Sequence, residues 1–299
     1  MALSFLPINP QENIDISKLI SKCSGLKTLI LYDNLGKLVV SPGLHLTAKL
    51  ESVHVSIDSQ DDQRTLGLLH YLSNDSQNQH IRSFSMRLHH LTDDILKELA
   101  KRNYSFLPSQ IQEYGIFTSY IYRENPFPGE TTLPSSDIFC SFFASLSRLT
   151  ALTKLSLCTR IDEIDSMKSL GNIFNHLQNL RHFQLQIFEG EKIFHGEALL
   201  IDLSVYNVHR LQSFSLKLSS NFRFREFIPL LDKLASIQEL EFLAIDSIDV
   251  DPREKETIEK IAKTLDKFPI CKTIDVGRNH SDESLSIQLI EAESLSISS

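Results

Sequence analysis

The chain has 299 residues, 41% apolar and 23% charged, with 30 basic side chains against 38 acidic ones and a formal charge of −8. This balance excludes a disordered tail, and it excludes a general nucleic-acid binder, whose affinity would come from neutralising phosphates. No apolar run approaches the roughly 20 residues of a spanning helix, so no membrane span is expected.

Leucine and serine together exceed a quarter of the chain: there are 45 Leu and 37 Ser beside 29 Ile, but only 10 Gly, 10 Pro, 3 Met and no Trp. Such a bias makes internal repeats the first thing to look for. At the N-terminus, MALSFLPINPQEN lacks a basic segment and is broken by Pro7 and Pro10. That argues against a secretory leader and for synthesis in a cytoplasm. Residues 1–25 are expected to cap the domain, with a first helix over 15–23.

From there the pattern L-x-x-L-x-L recurs nine times, with anchors at Leu26, Leu50, Ile81, Ile111, Leu152, Leu180, Leu211, Ile237 and Cys271. The anchors are 24 to 41 residues apart, about 31 on average. The clearest segments read LTALTKLSL (149–157), LQNLRHFQL (177–185), VHRLQSFSL (208–216) and LASIQELEF (234–242). The position three before the anchor is apolar in six of the nine, which the choice of register did not force. Alternation inside each segment predicts a strand, and the intervening stretches switch to helical period.

A helix is expected over 64–73. Over 92–102, Thr92 can cap the N-terminus, Asp93 and Asp94 suit the positive end of the dipole, and Ile95, Leu96 and Leu99 form an apolar stripe. Lys101 and Arg102 suit its negative end. Residues 104–134 then hold four of seven tyrosines and four of ten prolines, in the longest gap between anchors. An aromatic insertion of this kind is expected to offer Tyr114, Phe117, Tyr120, Tyr122 and Phe127 to a partner; alternatively Tyr114, Ile116 and Tyr120 patch a degenerate repeat.

Further helices are expected over 136–147, 165–176, 196–204 and 223–234. Another is expected over 251–268, where Asp251 caps, Pro252 takes the first helical position, and Ile258, Ile261, Ala262 and Leu265 line one face. The tail, 281–299, carries four acids and no base, and reads either as an acidic cap or as a sorting signal.

Strand then helix, repeated, resembles the leucine-rich-repeat proteins with long repeats of the ribonuclease-inhibitor kind. The resemblance implies an α/β solenoid over 1–280: a horseshoe of about nine irregular repeats, with a parallel concave sheet and convex helices. In that family an Asn usually follows the strand. Asn34 and Asn279 match, whereas Asp58, His89, Arg160, Phe188, Ser219 and Ile245 stand at that position elsewhere. Uneven curvature and irregular turns are therefore implied. The tail resembles the C-terminal translocation signals of type IV secreted bacterial effectors such as those of Legionella, which implies delivery into a host cell by a non-classical route.

In each strand the anchor, fourth and sixth residues point inward, so the third, fifth and seventh line the open face. The candidate partner-binding residues on it are Tyr32, His54, Arg87, Lys154, His182, Gln184 and Lys217, with Glu239 and Glu241 toward the C-terminal end. A polar, mildly basic trough flanked by acid suits a protein better than a small apolar ligand.

The four cysteines, Cys23, Cys140, Cys158 and Cys271, are far apart and form no CxxC, so free thiols and no metal are expected. No GxGxxG, Walker, HExxH, EF-hand or GxSxG pattern occurs. The pair His89 and His90 lacks a third ligand. These readings converge on a non-enzymatic protein-interaction module without a cofactor, a bacterial effector docking on a host protein. The alternative is the sensing or substrate-selecting repeat domain of a larger immune receptor or ubiquitin-ligase adaptor.

Overall fold

The computed structural model describes residues 2–5, 13–33, 38–39, 49–57, 62–72, 80–88, 91–106, 109–118, 134–160, 164–188, 210–249, 259, 263, 266–268, 273–277, 286–288 and 296–298. The chain forms two compact units, Met1–Thr159 and Arg160–Ser299.

In the first unit the order is β1 (Ala2–Phe5), β2 (Ile14–Asp15), α1 (Ile16–Ile20), β3 (Thr28–Asp33), β4 (Leu38–Val39), β5 (Ser52–Ile57) and α2 (Asp62–Leu72). There follow β6 (Ser83–Leu88), α3 (Asp93–Ser105), β7 (Glu113–Thr118), α4 (Ser136–Ser147) and β8 (Lys154–Arg160). Strands β1, β3, β5, β6, β7 and β8 pair in parallel in that order, while β2 pairs with β4 apart from them. The register is strict, placing Thr28, Ser52, Ser83, Glu113 and Lys154 in one row.

Strands β5 to β8 begin in the same way. The Lys27 carbonyl accepts the N–H groups of Glu51 and Ser52, that of Glu51 accepts those of Arg82 and Ser83, and Arg82 and Gln112 repeat the step. A tight turn precedes the strand, with Leu26 N–H donating to Cys23 O and Leu152 N–H to Leu149 O. This is the physical basis of the extra apolar position three before the anchor: that residue closes the turn.

Alternation then does the rest. Leu29 and Leu31, Val53 and Val55, Phe84 and Met86, Tyr114 and Ile116, and Leu155 and Leu157 are buried on one face, where helices cover them. Phe84 meets Tyr114 with ring centroids 5.5 Å apart, and Tyr114 meets Phe142 of α4 at 6.5 Å. On the other face Ile30, His54, Ser83 and Ser85 are only half-buried.

The Thr92 cap forms as expected, its hydroxyl accepting the Ile95 N–H at 3.5 Å, and Ile95, Leu96 and Leu99 are buried. Arg102 behaves differently. Instead of closing the helix in solvent it is 1% exposed, with its guanidinium carbon 4.4 Å from the Phe84 ring centroid and 5.3 Å from that of Phe106.

The second unit contains α5 (Ile164–Asn172), a 3-10 turn over Ile173–Asn175, β9 (His182–Phe188), β10 (Ser213–Arg223), α6 (Phe224–Ala235), β11 (Phe242–Asp249) and β12 (Thr273–Gly277). Strands β9 to β12 pair in parallel. Two short strands, β13 (Ser286–Gln288) and β14 (Ser296–Ser298), pair antiparallel within the acidic tail. Phe174 packs edge-on to Phe183 at 4.7 Å, and Phe183 meets Phe214 at 5.7 Å. The helix expected over 196–204, and all but isolated positions of that over 251–268, lie outside the described residues.

The α/β class holds, but the leucine-rich-repeat horseshoe of about nine repeats is corrected. A strand, β1, occupies the N-terminus where a cap was expected. β10 runs for eleven residues straight into α6, with its register against β11 shifting between Lys217 and Phe222. An L-x-x-L-x-L segment reports only a turn followed by a strand whose alternate residues are buried, and it does not fix how successive strands are arranged.

The eighth anchor also moves, from Ile237 to Leu240. Leu240 N–H donates to Ile237 O as in the other turns, the Gln212 carbonyl accepts Glu241 and Phe242, and Leu243 pairs with Phe214. Leu234, Ile237 and Leu240 are evenly spaced by three, so the sequence pattern can slide by one step.

Candidate functional site

The half-open face of the first unit's sheet brings together Tyr32, His54, Arg87 and Lys154 as expected. Tyr32 is 40% exposed, and Arg87 and Lys154 are exposed with no ion pair to a described residue. At the centre, His54 Nε2 lies 2.8 Å from the Ser52 hydroxyl and Nδ1 lies 2.6 Å from that of Ser85. A neutral ring fits this pair, taking one hydroxyl proton at its bare nitrogen and donating from the other. Ser83 donates to Glu113 at 3.1 Å alongside.

Gly115 leaves the room that the Phe117 ring occupies: a Cβ there would stand 2.9 Å from a ring carbon and 3.3 Å from Ser85 Cβ. Phe117 therefore lies across the sheet beside the His54 cluster. Cys158, also on this face, is buried, with its thiol 3.9 Å from the Thr118 carbonyl.

Burial lowers the His54 pKa below its ordinary value of 6.5; Glu113 pulls the other way and Lys154 reinforces the drop. As pH falls, the unfolded chain therefore takes up this proton before the folded one does. The stability from neutral His54 is full above 6.5 and is lost as pH falls from there through the lower folded value. Urea melts at about pH 7.5 and about pH 5 should show wild type losing more stability than His54→Gln, with a difference in slope of at most about 1.4 kcal/mol per pH unit. Parallel pH dependence in the two proteins would remove His54 from this role.

Along the edge where these strands begin, a polar groove of about 770 Å³ passes Lys27, Lys49, Glu51, His80, Arg82 and Gln110. Lys27 bonds Glu51 at 2.8 Å and holds its carboxyl below the usual range. Lys49 and Arg82 have no ion pair to a described residue, so the rim is positive on a chain whose total charge is −8.

In the second unit His182 and Gln184 are exposed on β9, and Lys217 is half-buried on β10. Glu239 and Glu241 do not share the face. Because of the shifted anchor they sit in the turn before β11, where Glu239 meets Arg181 at 3.0 Å. Their place on the sheet is taken by Phe242, 38% exposed, which the sliding register concealed.

Tyr114 is corrected as well: it is 2% exposed and belongs to the core of β7, beside Asn103, with its pKa raised by burial. Phe117 remains on the open face. Tyr120, Tyr122 and Phe127, with His89 and His90, lie outside the described residues.

Among the described residues no cluster of His, Cys, Asp or Glu is arranged to hold a metal, and no helix is long and apolar enough to cross a membrane. What the face can do chemically is offer hydroxyls, two cations with no ion pair to a described residue, a neutral imidazole and aromatic edges to another surface.

The architecture defines the chain as an α/β protein with parallel strands. No family model matches it, and no curated protein matches it. Among solved structures it is similar to the pyridoxal kinase from Staphylococcus aureus in complex with AMP-PCP and pyridoxal, at 8% identity, covering 70% of this chain and 68% of that one, with a TM-score of 0.30. Nothing in these comparisons identifies a leucine-rich-repeat protein, and that assignment is withdrawn. A TM-score of 0.30 defines no shared topology, and the α/β class rests on the strands and helices themselves.

Proposed function

We propose that the chain acts by binding a protein partner rather than by catalysis, through the half-open sheet face of its first unit. The observation that carries this reading is the pairing of exposed cations without ion partners among the described residues, Arg87 and Lys154, with an exposed aromatic, Tyr32, on a face whose reverse side is packed with helices. The serine hydroxyls and the Phe117 ring add hydrogen-bonding and apolar area of the kind interfaces use. Unpaired cations favour a partner with exposed carboxylates, by steering its approach and suppressing wrong partners.

Affinity capture tests the reading. The double variant Arg87→Glu with Lys154→Glu should retain the partner held by wild type at least about tenfold less well, while its far-ultraviolet circular dichroism stays unchanged. Lys97→Glu, on the exposed side of α3, should retain it normally. Equal retention by the double variant and wild type would move the interface elsewhere.

A further inference from the structure

Three pairs of side chains flank the anchors that precede β5, β6 and β7. Leu50, Ile81 and Ile111 are each 0% exposed, and alternation along extended chain turns their neighbours the other way. The pairs are Lys49 with Glu51, His80 with Arg82, and Gln110 with Gln112, and all of them line the polar groove of about 770 Å³ along the strand starts, with Lys27 before β3. Neighbouring strands lie about 4.8 Å apart, so the starts of β3, β5, β6 and β7 span about 14 Å.

Charge within the groove is one-sided. Lys27, Lys49 and Arg82 meet a single carboxylate among the described lining, Glu51, and Lys27 bonds it at 2.8 Å. Arg82 adds a weaker pull on that carboxyl. Lys49 and Arg82 are exposed and make no ion pair to a described residue, and the imidazole of His80 stands half-buried beside them. The groove therefore carries an excess of two positive charges on a chain whose total is −8. A carboxylate ligand would balance half of this excess, whereas a phosphomonoester brings about −1.5 to −2 at pH 7 and three acceptor oxygens.

The rest of the lining says what carries the phosphate. Leu26 is the one apolar side chain among the described lining and is 1% exposed, and no Phe, Tyr or Trp is there to stack a base. Ser24, Ser109 and Gln112 instead offer exposed hydroxyl and amide groups, which match the N–H and C=O groups of a peptide backbone. An extended segment advances about 3.3 Å per residue, so about four residues fill the groove.

We propose that this groove binds an extended peptide segment bearing a phosphoserine. Arg82 grips the phosphate with two parallel N–H bonds, Lys49 and His80 take its remaining oxygens, and the polar side chains hold the flanking backbone. The proposal does not rest on the reading of the sheet face.

Titration calorimetry of the full chain tests it, with the capped peptide Gly-Ser-phosphoserine-Ser-Gly as probe. The probe should bind saturably at one site, at least about tenfold tighter than its unphosphorylated twin, its twin with Glu in place of the phosphoserine, or inorganic phosphate. Arg82→Gln and Lys49→Gln should each weaken it about tenfold while circular dichroism stays unchanged. Lys97→Gln, exposed on α3, should bind it normally. Absence of binding, equal binding of the unphosphorylated twin, or wild-type affinity in both groove variants would overturn the site. Equal affinity of the Glu twin would overturn the phosphate assignment, and equal affinity of inorganic phosphate would overturn the peptide.

Discussion

Replacing Leu155 by Asp is expected to abolish the cooperative unfolding transition of the first unit. Leu155 is 0% exposed in β8, paired in register with Tyr114 of β7, so its side chain has no route to solvent. Truncating a buried leucine to alanine costs about 2 to 5 kcal/mol. An ionised carboxylate in the same place adds several kcal/mol of desolvation, so the sum approaches the whole stability of an ordinary domain, about 5 to 15 kcal/mol. Thermal circular dichroism should show no sigmoidal transition for Leu155→Asp, whereas Leu155→Met should lose less than about 1.5 kcal/mol. A wild-type melt for the Asp variant would mean that β8 does not bury this residue.

The opposite sign is expected at Arg102. Its guanidinium lies in the interior with Nε, Nη1 and Nη2 all lacking a hydrogen-bond partner among the described residues, and burial pulls its pKa down to about 10. What it gains is the faces of Phe84 and Phe106, worth about 2 kcal/mol where desolvated. Removing a charge from water costs several kcal/mol, so the balance is unfavourable. Arg102→Met keeps the length and the aromatic contact and removes the charge. It should stabilise the protein by about 1 to 4 kcal/mol in urea unfolding at neutral pH. A loss of more than about 1 kcal/mol would show that the cation contributes net stability through the rings.

How far these features could be read from the residues follows from what each signal measures. Alternation within the L-x-x-L-x-L segments gave the buried positions of β3, β5, β6, β7 and β8, because period 2 on a one-sided sheet leaves no other choice. The Thr92 cap and its apolar stripe were equally plain, since capping is local. The shift at Ile237 was hidden because Leu234, Ile237 and Leu240 recur every three residues, and only the hydrogen bonds of Gln212 decide among them. β1 was missed because ALSF lacks an anchor and a turn before it, and its pairing with β3 is tertiary.

Of the candidate site, the parity rule placed Tyr32, His54, Arg87 and Lys154 on one face. Tyr114 was misread for a simpler reason: aromatic residues in a Pro-rich stretch look alike whether they patch a core or face a partner, and one position of register separates Tyr114 from Gly115. The contacts of His54 with Ser52 and Ser85 depend on the row register of β5 and β6, which no single segment encodes. The burial of Arg102 depends on packing between elements distant in the chain, and a charge at a helix end gives no local sign that it will be buried.

The central claim, that the half-open sheet face of the first unit meets the partner, is tested most directly by site-specific photo-crosslinking. A photoreactive phenylalanine placed at Tyr32 or at Ser56, both on that face, should give covalent adducts with one and the same protein. The same probe at Lys97 or Lys101, exposed on α3, should give none with it. Adducts confined to the α3 positions would contradict the account and assign the interface to the helical side.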